Sequence, residues 1–430
     1  MARKAVKLMA QAPEKIPDKS ADNFHRSKSP DTNEYFTGIA KRFRFAKYVT
    51  FLLLIVFLLS TVAFNRSEIT VENLQYLMKF VSFTNTETTI SAPKINYSSG
   101  DKIRLELFLG DLCYLSPNGY YLYDSRGNTI MTESIKYNDP ILRVSNKFAF
   151  CYDLFGSSFS VYNTFSKLTS GTTDYSITDG DISDTGSFAI ATSTREYRTA
   201  VEVYDSNFKL TTRILRENYL TDVKLSSDGK EIAIMTTGSE NGNYFTNIDL
   251  ITIGHDTVRK SATFSGIGYS LDYMDGGFSV ITDDSTKYFD SDLSLLTSNK
   301  HQSTLVMADC SKKYLTQVYN SGIIGNSYRL LITDPTGKTV YDGEFDGKLA
   351  DISHDETGDY IFVLAGGNVT RVNLLNKKIG TVEANSDGFA LLPIDADSFL
   401  LAMNNYALTF TPKDFNENYF YTEARNESVS

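Results

Sequence analysis

Asp179-Gly-Asp181-Ile-Ser-Asp184-Thr-Gly186 places three carboxylates within six residues, and oxygen ligands at alternating positions are what a calcium ion takes. A helix–loop–helix calcium loop counted from Asp179 needs glycine at its sixth place and glutamate at its twelfth, where this chain has Asp184 and Ile190. The same strand–turn–strand pattern recurs along the chain without the extra acids, so a tight turn is the expected role. Asp283-Asp284 and Asp290-Ser-Asp292 read as hairpin turns for the same reason. No cofactor or metal ligand set is expected.

Nucleophilic and general-base chemistry has little to draw on. Past the N-terminal segment the histidines are His255, His301 and His354, and neither HExxH nor GxSxG occurs. His354 falls at a turn within a repeat and His301 beside a polar loop, so each is expected at the surface and not as a base. Cys113 and Cys151 take second-strand positions in successive repeats and Cys310 a turn; free thiols are expected. There is no CxxC pair to hold zinc. The chain has no Trp, which weighs against indole-based docking motifs and sugar stacking, although Tyr can stack in its place. Ser226-Ser-Asp-Gly229 only faintly echoes a sialidase-type Asp box. Paired carboxylates for glycoside hydrolysis are not recognisable from spacing where site residues come from many loops. No catalytic residue is assigned.

The elements that would position such groups follow from charge and periodicity. With 42 Lys+Arg, 52 Asp+Glu and a net charge of -10, the chain is acidic, which argues against a nucleic-acid binder. At 41% hydrophobic and 22% charged it has the composition of a folded protein with a sizeable core. The charge is uneven: residues 1–47 hold 11 Lys/Arg and 5 acids, residues 48–64 hold neither, and the remainder carries -16.

Tyr48 to Phe64 reads YVTFLLLIVFLLSTVAF, 17 residues without charge, Pro or Gly. As a helix it spans about 25 Å, near the lower limit for a bilayer core. Lys41, Arg42, Arg44 and Lys47 crowd one flank, against Arg66 beside Glu68 on the other. That asymmetry predicts an uncleaved signal-anchor in the lipid bilayer, with the N-terminus in the cytoplasm and the acidic body outside. A cleavable signal peptide fits less well, because the basic region is too long and so is the apolar stretch. Residues 1–47 are expected to form a disordered tail. Residues 65–84 are expected to form a linker with a short helix capped by Thr70.

From about residue 85 the periodicity becomes alternating, with β-branched and aromatic runs broken by turn residues, the signal of an all-β fold. An apolar run, an Asp/Asn turn and a second apolar run recur with turns near 124, 163, 205, 254, 290, 334, 375 and 411, a mean step of about 41 residues. A second, staggered unit appears at Asp181–Gly186, Val223–Gly229, Leu271–Gly277 and Ala350–Gly358. Two motifs per repeat imply four strands per repeat, and four-stranded units of this length arranged about an axis make a β-propeller. Residues 85–430 are therefore read as a WD40-like propeller of eight blades, with seven as the runner-up. Thr86–Ile90 or Tyr419–Glu423 is expected to complete the last blade.

The basic cluster and apolar span, followed by Tyr120-Tyr-Leu-Tyr-Asp-Ser-Arg-Gly127, Val144–Asp153, Ser158–Asn163 and Asp181–Ala191 leading to Val201–Asp205, resemble a domain-of-unknown-function family of single-pass bacterial membrane proteins with an external propeller. The resemblance covers about residues 40–420. It implies a cytoplasmic membrane of Gram-positive type with the body facing the cell envelope, and it brings no activity and no site residues. The expected function is a tethered, non-catalytic scaffold that presents a propeller face to a protein or envelope partner. An envelope hydrolase or lyase with acids at the channel, and a sensor reporting through Tyr48–Phe64, are the alternatives.

Overall fold

The computed structural model describes residues 32–64, 94–124, 127–254, 257–322, 325–412 and 415–420. The chain divides into one unit ending at Leu77, which carries a helix, and one beginning at Met78, which carries the strands.

The helix, α1, is Thr32–Phe64. It begins well before Tyr48 and takes in the basic cluster Lys41–Lys47, which the charge pattern had assigned to a disordered tail. The reason is local: from Thr32 to Phe64 there is no proline, Pro30 lying just before, and the only helix-weakening glycine is Gly38. Among the described residues no helix is long and apolar enough to cross a membrane. The uncharged run of 17 residues gives about 25 Å, against about 30 Å of hydrocarbon core. The helix expected from Thr70 lies outside the described residues, as do residues 1–31.

The strands form eight antiparallel sheets. Blade 1 is Arg104–Phe108, Asp111–Ser116, Gly119–Tyr123 and Thr129–Ser134, paired in chain order. Blades 2 to 7 repeat that order from innermost strands Pro140–Val144, Ile177–Ile182, Tyr219–Leu225, Gly268–Met274, Leu305–Cys310 and Leu349–His354; blade 8 starts at Ala390–Pro393. All eight turn positions of the first sequence motif fall where a third strand ends. The second motif is the hairpin between first and second strands. Where the turn reads Asp-x-x-Gly, as at Asp334–Gly337, the Asp carboxylate caps the turn's own N–H groups while Gly takes positive φ: Asp334 Oδ1 accepts from Thr336 and Lys338 N–H at 2.9 and 3.0 Å, and Gly337 sits at φ 83°.

The apolar residues do not form one core. They form eight clusters among the described residues, one at each junction between neighbouring blades. Second strands such as Ala149–Asp153 and Phe188–Thr192 are buried along their whole length because both their faces meet a neighbour. The junction between blades 5 and 6 is the thinnest, with Met274, Ile281, Tyr288 and Leu315. Buried polar contacts reinforce it. Gln317 Nε2 donates to Thr286 Oγ1 at 2.7 Å, and Tyr288 Oη lies 2.5 Å from Thr333 Oγ1.

The expected closing strands are not the ones used. Lys94–Asn96 supplies the outermost strand of blade 8, with Lys94 opposite Leu408, Ile95 opposite Ala407 and Asn96 opposite Tyr406. Thr86–Ile90 lies outside the described residues. Tyr419 ends a strand, Asn416–Tyr419, that adds to the outer edge of blade 7, opposite Lys378–Thr381. Three paired residues are a weak clasp, so side chains hold it. Ile95 is 1% exposed, and Tyr97 Oη approaches the Met403 and Tyr406 carbonyls at 2.6 and 3.0 Å. At the C-terminal strand, Arg371 pairs with Glu417 at 2.5 Å and lies 4.1 Å from the Phe415 ring centre.

Since Ile95 seals the junction of the last and first blades, Ile95→Ala is expected to cost about 2–4 kcal/mol and to lower the midpoint of thermal unfolding followed by circular dichroism. Unchanged melting would show that this short strand does not close the ring.

Candidate functional site

The ends of the innermost strands meet at one mouth of the central channel. Residues from all eight blades line a cavity of about 720 Å³ there, among them Glu106, Asp184, Tyr273 and His354. Alternation along each innermost strand sends every second side chain toward the axis, and many of these are acidic: Glu106, Asp179, Asp181, Asp222, Asp272, Asp309 and Asp351. Arg143 and Lys224 are the cations among them.

Most of these carboxylates perform one repeated task. Asp179 Oδ2 accepts the Val223 N–H at 3.1 Å and Asp181 Oδ2 the Leu225 N–H at 2.7 Å, tying blade 3 to blade 4. Asp222 Oδ2 accepts the Leu271 N–H at 2.8 Å, Asp309 Oδ2 the His354 N–H at 2.9 Å and Asp351 Oδ2 the Leu391 N–H at 2.7 Å. Each bond runs from one blade to the first strand of the next. It satisfies a backbone donor that has no strand partner on the channel side. Gly180 lies between two of these acids because its other side faces Phe150, whose ring carbon would stand 2.7 Å from a Cβ there. Asp179-Gly-Asp181 is thus an inter-blade strap. Asp184 turns to blade 2 and accepts from Asn146 N–H at 2.8 Å. Among the described residues no group of His, Cys, Asp and Glu is arranged to hold a metal ion.

The histidines correct the surface assignment. His354, its side chain 5% exposed, has Nδ1 2.7 Å from Asp309 Oδ2 and Nε2 3.0 Å from Thr316 Oγ1. The order acid–imidazole–hydroxyl matches a nucleophilic triad, but Thr316 is 0% exposed, so no substrate reaches its oxygen. His301 Nε2 contacts the buried Thr286 hydroxyl at 2.9 Å. His255 lies outside the described residues. Cys113 and Cys151 are buried free thiols, and Cys310 ends an innermost strand instead of occupying a turn.

The channel electrostatics follow from this crowding. Surrounding protein pushes the Glu106 carboxyl up to about 7; Asp309 and Asp351 add to the rise and Arg143 opposes it. Burial lifts Asp351 to about 6 despite the Leu391 N–H. Burial also raises Asp181 and Asp222, against the pull of Lys224. For Asp309 burial acts upward too, but the His354 contacts outweigh it and hold the carboxyl low. Lys224, 3.2 Å from Asp272, is raised because these acids overcome its burial. Glu106 makes no hydrogen bond or ion pair among the described residues, and it faces the open channel.

The opposite end has a different character. First strands begin there and second strands turn into third strands, and exposed aromatics gather on blades 3 to 5. They are Tyr197, Tyr219, Tyr244 and Tyr269, the last three about 60% exposed. Arg198 stacks 4.4 Å above the Tyr219 ring and donates to its hydroxyl. Tyr244 sits near the tip of the Glu231–Glu240 and Asn243–Thr252 hairpin, whose ten-residue strands extend about 10 Å beyond those of its neighbours. Phe155 and Phe389 share this end.

A family model matches residues 81–409, from before the closing strand through the third strand of blade 8, and its description is a family of unknown function, DUF5711. The chain belongs to that family. No curated protein matches its sequence. Among solved structures, BamB from Moraxella catarrhalis is similar at 11% identity and a TM-score of 0.50, covering 74% of this chain and 99% of that one. A eukaryotic initiation factor is similar at 14% identity and a TM-score of 0.52, covering 75% and 89%. At such identities the likeness is one of fold, and it places the DUF5711 region among propellers.

The raised acids make stability fall as pH rises. A carboxyl whose folded pKa lies above its unfolded value stabilises the fold below the unfolded pKa, and that contribution is lost as pH climbs through the folded one. With Glu106 at about 7 and Asp351 at about 6, against unfolded values of about 4, thermal stability is expected to decline between about pH 4 and 7, and less steeply in Glu106→Gln. A flat or rising profile would refute this account of the channel.

Proposed function

We propose that this chain is a membrane-anchored, extracytoplasmic propeller that binds a protein partner without catalysis. Anchoring rests on the uncharged run Tyr48–Phe64 within α1 and on the Lys/Arg excess before it, which by the positive-inside rule orients the N-terminus to the cytoplasm. With tilt or local thinning of the bilayer, a run this short is accommodated at modest cost. Binding rests on one observation above all, the cluster Tyr197, Arg198, Tyr219, Tyr244 and Tyr269 exposed at one end of three adjacent blades. Tyr and Arg are the residue types that dominate protein-interface energetics, since each offers a large apolar face together with a polar tip.

The alternative of a hydrolase at the channel mouth draws on Glu106, an acid held near neutrality in a large cavity. Against it, five of the other channel carboxylates already hold backbone N–H groups of the next blade.

Two measurements test the proposal. Protease added outside intact cells is expected to degrade the propeller and leave the N-terminal segment. A photo-crosslinking residue at Tyr244 is expected to capture a protein in native membranes that the same residue at Leu375, on the other end, does not. Protection of the propeller, or equal capture from both positions, would overturn it.

A further inference from the structure

At the seam where the ring closes, a second cavity of about 250 Å³ is lined by Asn96, Tyr97, Ser98, Tyr114, Tyr121 and Tyr123. Four of its six walls are tyrosines in contact with one another. Tyr97 and Tyr114 stack with ring centres 5.0 Å apart, Tyr121 is tilted against Tyr114 at 5.5 Å, and Tyr123 is stacked alongside Tyr121 at 6.3 Å. The hydroxyls divide into two kinds. Those of Tyr97 and Tyr114 donate to the Met403 and Ser98 carbonyls at 2.6 and 2.7 Å, which fixes the rings while leaving lone pairs on their oxygens. Those of Tyr121 and Tyr123 make no hydrogen bond among the described residues, and neither do the side chains of Asn96 and Ser98. None of the six residues carries a charge.

This combination selects a class of ligand. A carboxylate or phosphate would find no cation, and an amine no anion. The pocket lies below the roughly 300–1,000 Å³ usual for drug-sized molecules. Rings largely buried against one another, presenting uncommitted hydroxyl and amide groups to the pocket, match a small neutral molecule rich in hydroxyls. We propose that this seam pocket binds one pyranose ring of a neutral sugar, with the Tyr121 and Tyr123 hydroxyls supplying hydrogen bonds and the half-buried Tyr121 ring the apolar contact. The site is independent of the aromatic cluster on blades 3 to 5. Gly119 sets the position of Tyr121: a Cβ there would lie 2.7 Å from the Tyr121 hydroxyl oxygen, so Gly119→Ala displaces that group without touching the closing strand.

The test uses the purified full-length chain with N-acetylglucosamine, its tetramer and maltotetraose as probes, by saturation-transfer NMR and calorimetry. At least one probe is expected to saturate. Tyr121→Phe and Tyr123→Phe, which keep both rings, are each expected to weaken it about three- to tenfold, the value of one hydrogen bond. Gly119→Ala is expected to act in the same direction, and Leu375→Ala, at an exposed turn of blade 7, to leave affinity unchanged. Tighter binding of a tetramer than of the monomer identifies a polysaccharide source, and equal binding a free sugar. No saturation by any of the three, or affinity unaltered in the Tyr121→Phe/Tyr123→Phe double variant, overturns the proposal.

Discussion

Every sheet in this propeller has two apolar faces, and neither can be covered from within its own blade. A four-stranded sheet of five- or six-residue strands that exposed a face such as Ala149–Asp153 would put a contiguous apolar patch in water, and the only cover on offer is the next blade. Burial therefore works only if the series of sheets returns on itself. The junction of blade 8 with blade 1, where Ile95, Tyr97, Leu105, Leu112 and Tyr114 pack against Leu392, Leu400 and Ala402, completes it. Putting the N-terminal strand into the C-terminal blade makes that junction covalently continuous on both sides. The C-terminal strand Asn416–Tyr419 then covers the outer edge of blade 7, where an open edge would invite pairing with another chain.

The same constraint explains the channel. First strands approach one another around the axis but do not pair, so some of their backbone N–H groups point at a neighbour with no carbonyl in register. A carboxylate one blade back reaches them. Repeating this solution on blades 3, 4, 6 and 7 crowds negative charge, and Lys224 and Arg143 reduce it only in part. The raised acids are the residue of that imbalance. Perturbed carboxylates in a cleft are ordinarily a pointer to catalysis. Here their hydrogen-bond partners show a structural origin for most of them, and Glu106 is the member for which no such partner exists among the described residues.

Repeat number and blade boundaries were legible because turn chemistry is local. Asp124, Asp205, Asp290 and Asp334 each announce a hairpin through bonds to their own backbone, whatever the rest of the chain does. The seam was not legible, since Lys-Ile-Asn at 94–96 has no periodicity and owes its place to Ala407 and Tyr406, more than 300 residues away. Channel acids were visible as residues but not as a set: Asp309 and His354 are 45 positions apart, and only the stacking of blades brings them to 2.7 Å. The reading of His354 as a surface residue failed for that reason, its turn-like sequence neighbourhood carrying no sign of the buried Thr316. In α1, the boundary at Tyr48 was drawn from charge, whereas a helix responds to the absence of proline and so runs through the basic cluster.

The two ends of the propeller are under unequal demands, and that bears on where recognition resides. At the channel mouth the hairpins are Asp, Ser and Gly turns whose side chains cap their own backbone, as Ser226 does at the Glu231 N–H, or tie to the preceding blade, as Asp184 does at the Asn146 N–H. Changing them would disturb the ring. At the other end, connections such as Ser193–Arg198 and the long hairpin reaching Tyr244 lie beyond the last residues that pack between blades. Tyr219, Tyr244 and Tyr269 each leave about 60% of their surface in water. A large aromatic side chain in that position contributes little to the fold, because the apolar area it buries is small. Four of them together with Arg198, on three consecutive blades, are the observation on which the proposed partner-binding surface rests.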